Sequence, residues 1–350
     1  MKRVALLVAA LAVLAGSASA AESSYTVTNL VSDQPGVAAH TDGDLVNAWG
    51  LTALPTSPWW VSDNGTNVST LYRADGTKVI LPNNTQHVNV PNAPTGDVAN
   101  AGTNFVVTNG TTSGPARFIF ATEEGKILGW APNVSITDAQ VAVDNSGAGA
   151  IYKGLAIAGA DRLYATDFHN GRVDVFNGSF KPVNLPGAFV DPEIPAGYAP
   201  FGIQNISGTI FVSYAKQDAD RKDDVAGVGH GFVDRFSRSG VFLGRVATHG
   251  LLNSPWGLAT APSNFGRFSG DLLVGNFGDG HINAFEPQSD GTYDLVGQLR
   301  TSGHKVLTID GLWALQFGMG SANNGATNTL FFTAGPDDES HGLFGTITAG

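Results

Sequence analysis

Short apolar runs bordered by Gly, Asn and Asp follow one another along nearly the whole chain, and stretches with a helical apolar period are almost absent. Six of the runs are alike: WWVSD (59–63), RFIFAT (117–122), RLYATD (162–167), TIFVSY (209–214), DLLVGN (271–276) and TLFFTA (329–334). Their aromatic and β-branched content, set between turn residues, predicts buried β-strands. After each run comes a polar turn and another strand. In four copies that strand reads Gly-x-apolar-x-x-aromatic: Gly125 to Trp130, Gly171 to Phe176, Gly231 to Phe236 and Gly280 to Phe285. Looser copies lie at 69–72 and 344–347, and a further strand closes most units, as at 78–81 and 241–246.

A short motif, apolar or Pro–x–Gly–apolar, precedes each run. It is clear at Trp49-Gly50, Phe201-Gly202 and Trp256-Gly257, weaker at Thr95-Gly96 and Lys153-Gly154, and carries Ala for Gly at Trp313-Ala314. The anchor positions 49, 95, 153, 201, 256 and 313 are 46, 58, 48, 55 and 57 residues apart. Four antiparallel strands repeated at such a period form a propeller blade, so six copies predict an all-β, six-bladed β-propeller as one domain over 21–350. The Gly after each anchor allows close backbone packing near the central channel. The anchor aromatics Trp49, Phe201, Trp256 and Trp313 are expected to wedge between neighbouring blades. The last unit stops one strand short, while the alternating segment 25–31 belongs to no unit. Pairing of the two closes the ring and leaves no open edge there.

Composition adds a compartment. Met1-Lys2-Arg3, an apolar run to Ala15 and Ala18-Ser19-Ala20 have the form of a signal peptide over 1–20, cleaved near Ala20. The mature chain is then periplasmic or secreted, with no membrane anchor, and a monomer is the default expectation. There is no cysteine, so an exported fold would rest on its core and ring closure alone. The net charge of −11 opposes binding to nucleic acid or anionic membranes.

The unit Gly154 to Phe176 resembles an NHL-type propeller repeat. The segments 30–51, 214–236 and 330–345 together resemble an uncharacterised family of exported bacterial six-bladed β-propeller proteins. The resemblance covers nearly all of the mature chain and implies fold and compartment, not chemistry. Some members carry a C-terminal sorting segment; the chain ends at Gly350 without one, which implies a soluble protein after export.

The turns between second and third strands all carry acids, and four carry histidine. The candidates are Asp63, Glu123 and Glu124, Asp167 with His169, Asp218, Asp220, Asp223 and Asp224 with His230, Asp279 with His281, and Asp337, Asp338 and Glu339 with His341. Two readings stand side by side. Asp and Asn make turns; alternatively, a ring of carboxylates and imidazoles binds a ligand or holds Ca2+, or with histidine Zn2+ or Mn2+. The loop 216–231 is the longest of the six and could fold over the channel mouth. Calcium-dependent lactonases also use six blades, with acids and Asn at inner-strand ends. Asn47, Asp97, Asn253 and Asp310 are the matching metal candidates, although no Glu precedes the first anchor. Nucleophile-elbow, His-Glu-x-x-His and Walker sequences are absent. The expected function is a binding platform for an extracellular polymer, peptide or partner protein. The alternative is a metal-dependent hydrolase or lactonase-like enzyme acting at the channel mouth.

Overall fold

Each repeat folds into an antiparallel sheet that runs outward from the axis, in a computed structural model that describes residues 24–159 and 161–350. The expected signal peptide lies outside the described residues. Blade 1 is Ala48–Thr52, Trp59–Asp63, Val68–Tyr72 and Val88–Asn89. Blade 2 is Pro94–Ala99, Phe118–Thr122, Lys126–Trp130 and Gln140–Asp144. Blade 3 has Tyr152–Ala158, Arg162–Asp167 and Arg172–Asn177, with a single bridge from Phe176 to Pro182 where a fourth strand would lie. Blade 4 is Tyr198–Ile206, Thr209–Lys216, Gly231–Phe236 and Phe242–Thr248; blade 5 is Pro255–Thr260, Leu272–Asn276, Ile282–Pro287 and Tyr293–Gln298. Blade 6 takes Leu312–Phe317, Leu330–Ala334 and Leu343–Ala349 from the C-terminal part and Tyr25–Ser32 from the N-terminal part.

That last pairing is the expected closure. Tyr25 faces Ala349 and Ser32 faces Leu343, with one register shift between Asn29 and Val31. The Tyr25 ring is buried; its hydroxyl donates to the Phe265 carbonyl at 3.1 Å, tying the closing strand to blade 5. In blade 1 the closing strand differs from expectation. Residues 78–79 touch Leu71 and Tyr72 only briefly, and the paired outer strand is Val88–Asn89. Pro82, lacking an N–H, starts a single helical turn that carries the chain off the edge.

The glycine of each anchor motif sets the ring. A Cβ on Gly50 would stand 2.5 Å from the Thr95 carbonyl; on Gly202, 2.1 Å from that of Trp256; on Gly257, 2.5 Å from that of Trp313. Each contact is backbone of the next inner strand, so only hydrogen fits. These glycines occupy the inter-blade position that the aromatics were expected to fill. Side chains on a strand alternate, so the anchor one residue earlier points the other way, into the channel. Trp49 stacks on Trp313 at 3.7 Å and Phe277 stacks on the same ring at 3.9 Å. Phe201 and Trp256 abut it at 5.8 and 5.9 Å. The wedge reading of Trp49, Phe201, Trp256 and Trp313 is thus corrected: they plug the axis. Aromatics between blades come from outer positions instead, such as Trp60 stacked on Phe118 at 4.1 Å.

Candidate functional site

The second strand of each blade ends beside the start of the inner strand and delivers the turn to the third strand there; Ala48, for example, pairs with Asp63. The turns therefore ring the channel mouth above the aromatic plug. Lys153 holds the anchor slot of blade 3, where four other copies have an aromatic, and its side chain is 2% exposed. Its Nζ donates to Glu123 of blade 2 at 2.5 Å and to Asp223 of blade 4 at 3.1 Å, and lies 5.1 Å above the Trp49 ring. Burial alone would depress the lysine pKa. The two carboxylates outweigh it, and the group is raised above its ordinary value.

A chain of hydrogen bonds continues around the mouth. Glu123 Oε2 accepts from Asn64 at 3.1 Å, and Asn64 Oδ1 accepts from Asn47 at 3.3 Å. Asn47 Nδ2 also donates to Glu339 at 3.0 Å, while its Oδ1 accepts from the Trp313 indole at 2.9 Å. Glu339 arrives from blade 6 on an unusual backbone: Asp337, Asp338 and Glu339 have φ of 55°, 51° and 65° in succession. Left-handed backbone costs a non-glycine residue roughly 1–2 kcal/mol, so this turn is held by its surroundings. The Asp310 carboxylate accepts from the Asp337 N–H at 2.9 Å, and the Glu339 N–H donates to the Gly335 carbonyl. Burial pushes the Glu339 carboxyl above its usual range, against the donor Asn47 and the charge of Lys153.

The long loop of blade 4 does reach the mouth. Gln217 bridges Asp224, and the Asp223 carbonyl accepts from the Asp218 N–H, so the tip turns back and sets Asp223 over Lys153. Burial raises the Asp224 carboxyl, whose Oδ2 has no partner. Asp218 accepts from the Lys222 N–H, and Asp220 is exposed.

The remaining candidates stay in their own corners. Asp167 accepts from the N–H groups of Ile151 and Asn170 and pairs with Arg172 at 3.3 Å. Asp279 accepts from Asn276 and the His281 N–H. His230 contacts the Val225 carbonyl, and His341 contacts Asp33 at 2.7 Å. The Nδ1 of half-buried His169 is without a partner. Of the metal candidates, Asn47 belongs to the mouth network, Asn253 caps the Gly227 N–H and Asp310 holds the Asp337 turn. Asp97 lines the channel beyond the plug. Among the described residues no group of three or more His, Asp or Glu is arranged to hold a metal ion.

Lys153 and Asn64 were not picked out from the sequence, and Glu123 was only one loop acid among many. A lysine in a column of the repeat that is aromatic in four of its six copies is the signal that could have found the first.

No family model matches the sequence. Two uncharacterized proteins of Acanthamoeba polyphaga mimivirus are similar throughout. One is 33% identical over 335 residues, covering 93% of this chain and 81% of the relative; the other is 32% identical over 338 residues, covering 93% and 86%. Among solved structures, a streptogramin B lyase superposes with a TM-score of 0.54 at 10% identity, covering 94% of this chain and 98% of that one. A Bacteroides thetaiotaomicron protein of unknown function reaches 0.60 at 11% identity, covering 94% and 77%. At such identities the likeness to these structures is one of fold.

Proposed function

The chain belongs to one family with those mimivirus proteins, and we propose that it is an exported binding platform whose ligand engages the charged channel mouth. One observation carries the reading: carboxylates from blades 2 and 4 hold a single buried lysine above an aromatic floor, and Glu339 of blade 6 joins them through Asn47 and Asn64. Turn-making acids bond within their own loops, as Asp167 and Asp279 do. Glu123, Asp223 and Glu339 instead reach across blades. With exposed Glu124, Asp220, Asp337 and Asp338 nearby in the same class of turn, the mouth is net negative. A field of that sign favours an extracellular peptide or polymer presenting Lys, Arg or another cation.

The test is titration with a Lys/Arg-rich peptide and a Glu-rich peptide of equal length, at low and high salt. The basic peptide should bind, more weakly as salt screens the field. Glu339→Gln and Asp223→Asn should each lower its affinity by about threefold to tenfold, roughly 0.7–1.4 kcal/mol. Equal binding of both peptides, or unchanged affinity in both variants, would sink the proposal. The alternative of a calcium-dependent hydrolase has no observation that favours it over the binding reading.

A further inference from the structure

Beyond the aromatic plug the channel widens into a cavity of about 520 Å3 that opens on the face opposite the charged mouth. The residue two places after each anchor lines its wall, giving Leu51, Asp97, Leu155, Ile203, Leu258 and Leu315. Five slots hold Leu or Ile, and one holds Asp. Asp97 is 7% exposed, and neither carboxyl oxygen has a hydrogen-bond partner. The lining contains no other Asp or Glu, and no Lys, Arg or His. The neighbouring strands Ala48–Thr52 and Phe118–Thr122 carry no charge, and Lys153 on Tyr152–Ala158 is engaged by Glu123 and Asp223. A buried polar group without a partner destabilises a fold. An aliphatic side chain fills the other five slots of this ring, so Asp97 is the one titratable group in it.

We propose that this cavity binds a small apolar amine, its ammonium group donating to the Asp97 carboxylate and its hydrocarbon body lying against the ring of Leu and Ile. Ring chemistry selects this class. A divalent cation needs about six or more oxygen ligands, and the neighbours of Asp97 in the ring are hydrocarbon. Thr52, Gln204, Asn205, Ser207, Thr260 and Gln316 also line the cavity, but the ring that holds Asp97 is otherwise Leu and Ile, which suits a hydrocarbon body with one ammonium group at the carboxylate. The volume lies within the roughly 300–1,000 Å3 of small-molecule sites. The plug of Trp49, Trp256 and Trp313 stands between cavity and mouth, so this proposal and the mouth reading stand or fall separately.

Burial raises the Asp97 carboxyl well above its ordinary value. Where the carboxyl carries its proton before binding, carboxylic acid plus ammonium gives the carboxylate–ammonium pair plus one proton to solvent, and affinity under those conditions rises with pH until the amine itself deprotonates.

The experiment is calorimetric titration of the whole protein with phenethylamine and with its neutral isostere phenethyl alcohol, in two buffers of different ionisation enthalpy. The wild type should bind the amine about tenfold or more tightly than the alcohol, and any proton released on binding shows as a difference in heat between the two buffers. Asp97→Asn and Asp97→Leu should lose about tenfold or more of the amine affinity, with alcohol affinity held within about threefold. Equal amine binding to wild type and Asp97→Leu overturns the proposal. So does equal binding of alcohol and amine, or failure of the wild type to saturate at millimolar amine. If Asp97→Leu does not fold, Asp97→Asn, which keeps the side-chain shape, decides alone.

Discussion

Replacing Lys153 by Met measures how strongly the mouth depends on one cation. Methionine keeps much of the stem that packs in the plug and removes the charge. The lysine side chain is 2% exposed and Glu123 is 16% exposed, but Asp223 is 57% exposed. Breaking a buried pair from one side costs about 3–5 kcal/mol, because the surviving charge is left uncompensated. That figure applies to Glu123. Asp223 can turn into water, so its share is that of a surface pair, about 0–1 kcal/mol. Asn64 still donates to Glu123, which favours the lower end of the range, about 3 kcal/mol. Unfolding entropy near 2.1 cal/mol/K per residue gives roughly 0.7 kcal/mol/K for about 330 residues, so Tm should fall by about 4 °C. Differential scanning calorimetry of Lys153→Met and of Lys153→Met with Glu123→Gln reads this directly. The double variant, which removes the stranded charge, should recover part of the loss. Lys153 has a folded pKa above its unfolded value, so its contribution is complete below the unfolded pKa and lost only as pH rises through the folded one. The deficit should therefore be constant across neutral pH. A loss under about 0.5 kcal/mol, or a double variant worse than the single, would refute the idea that Glu123 is held by Lys153 rather than by the loop.

Two further predictions concern the frame. Gly202→Ala sets a Cβ 2.1 Å from the Trp256 carbonyl and should cost about 3 kcal/mol or prevent folding, whereas Gly147→Ala meets open space at an ordinary φ and should lie within about 1 kcal/mol of wild type; denaturant melts of both check the contrast, and equal effects would dismiss the ring-contact argument. Asp234 is pushed up to about 7 by burial and by nearby Asp191, against its partner Arg245. A carboxyl with a raised folded pKa makes stability fall as pH rises from the unfolded value to the folded one, by up to about 1.4 kcal/mol per unit. Stability measured from pH 4 to 7 should decline less steeply in Asp234→Asn than in wild type, and identical slopes would remove Asp234 from the account.

The fold was legible because its signal repeats. Six anchors and six strand runs bound the blades to within a residue or two, and counting strands exposed the shared sixth blade. Blade 1's outer edge was misplaced because 78–81 has strand composition but runs into Pro82. The direction of the anchors was not legible, since alternation gives two faces and does not say which one meets the axis. The site was half legible. Glu339 and Asp223 stand out as loop acids, yet nothing in the run Asp337-Asp338-Glu339 announces left-handed backbone, and the partners of Lys153 lie 30 and 70 residues away. The histidines misled because equivalent turns sit around a ring: sharing a class of turn does not put side chains in one place. Asp97 becomes conspicuous once the repeats are stacked in register, where it breaks a column of Leu and Ile.

Ala314 is where the ring and the mouth become a single device. Five joints between inner strands carry glycine; the joint from blade 6 to blade 1 carries a methyl group, and its blade 6 is clasped by hydrogen bonds between opposite ends of the chain rather than by a continuous peptide. The bonds from Asn47 to Trp313 and to Glu339 cross that same joint. Asn47 lies on the N-terminal side of the clasp and Trp313 and Glu339 on its C-terminal side, so plug and rim are both joined across the seam that the clasp closes. The hold of the first and last strands on each other thus closes the same seam that the plug and the rim span.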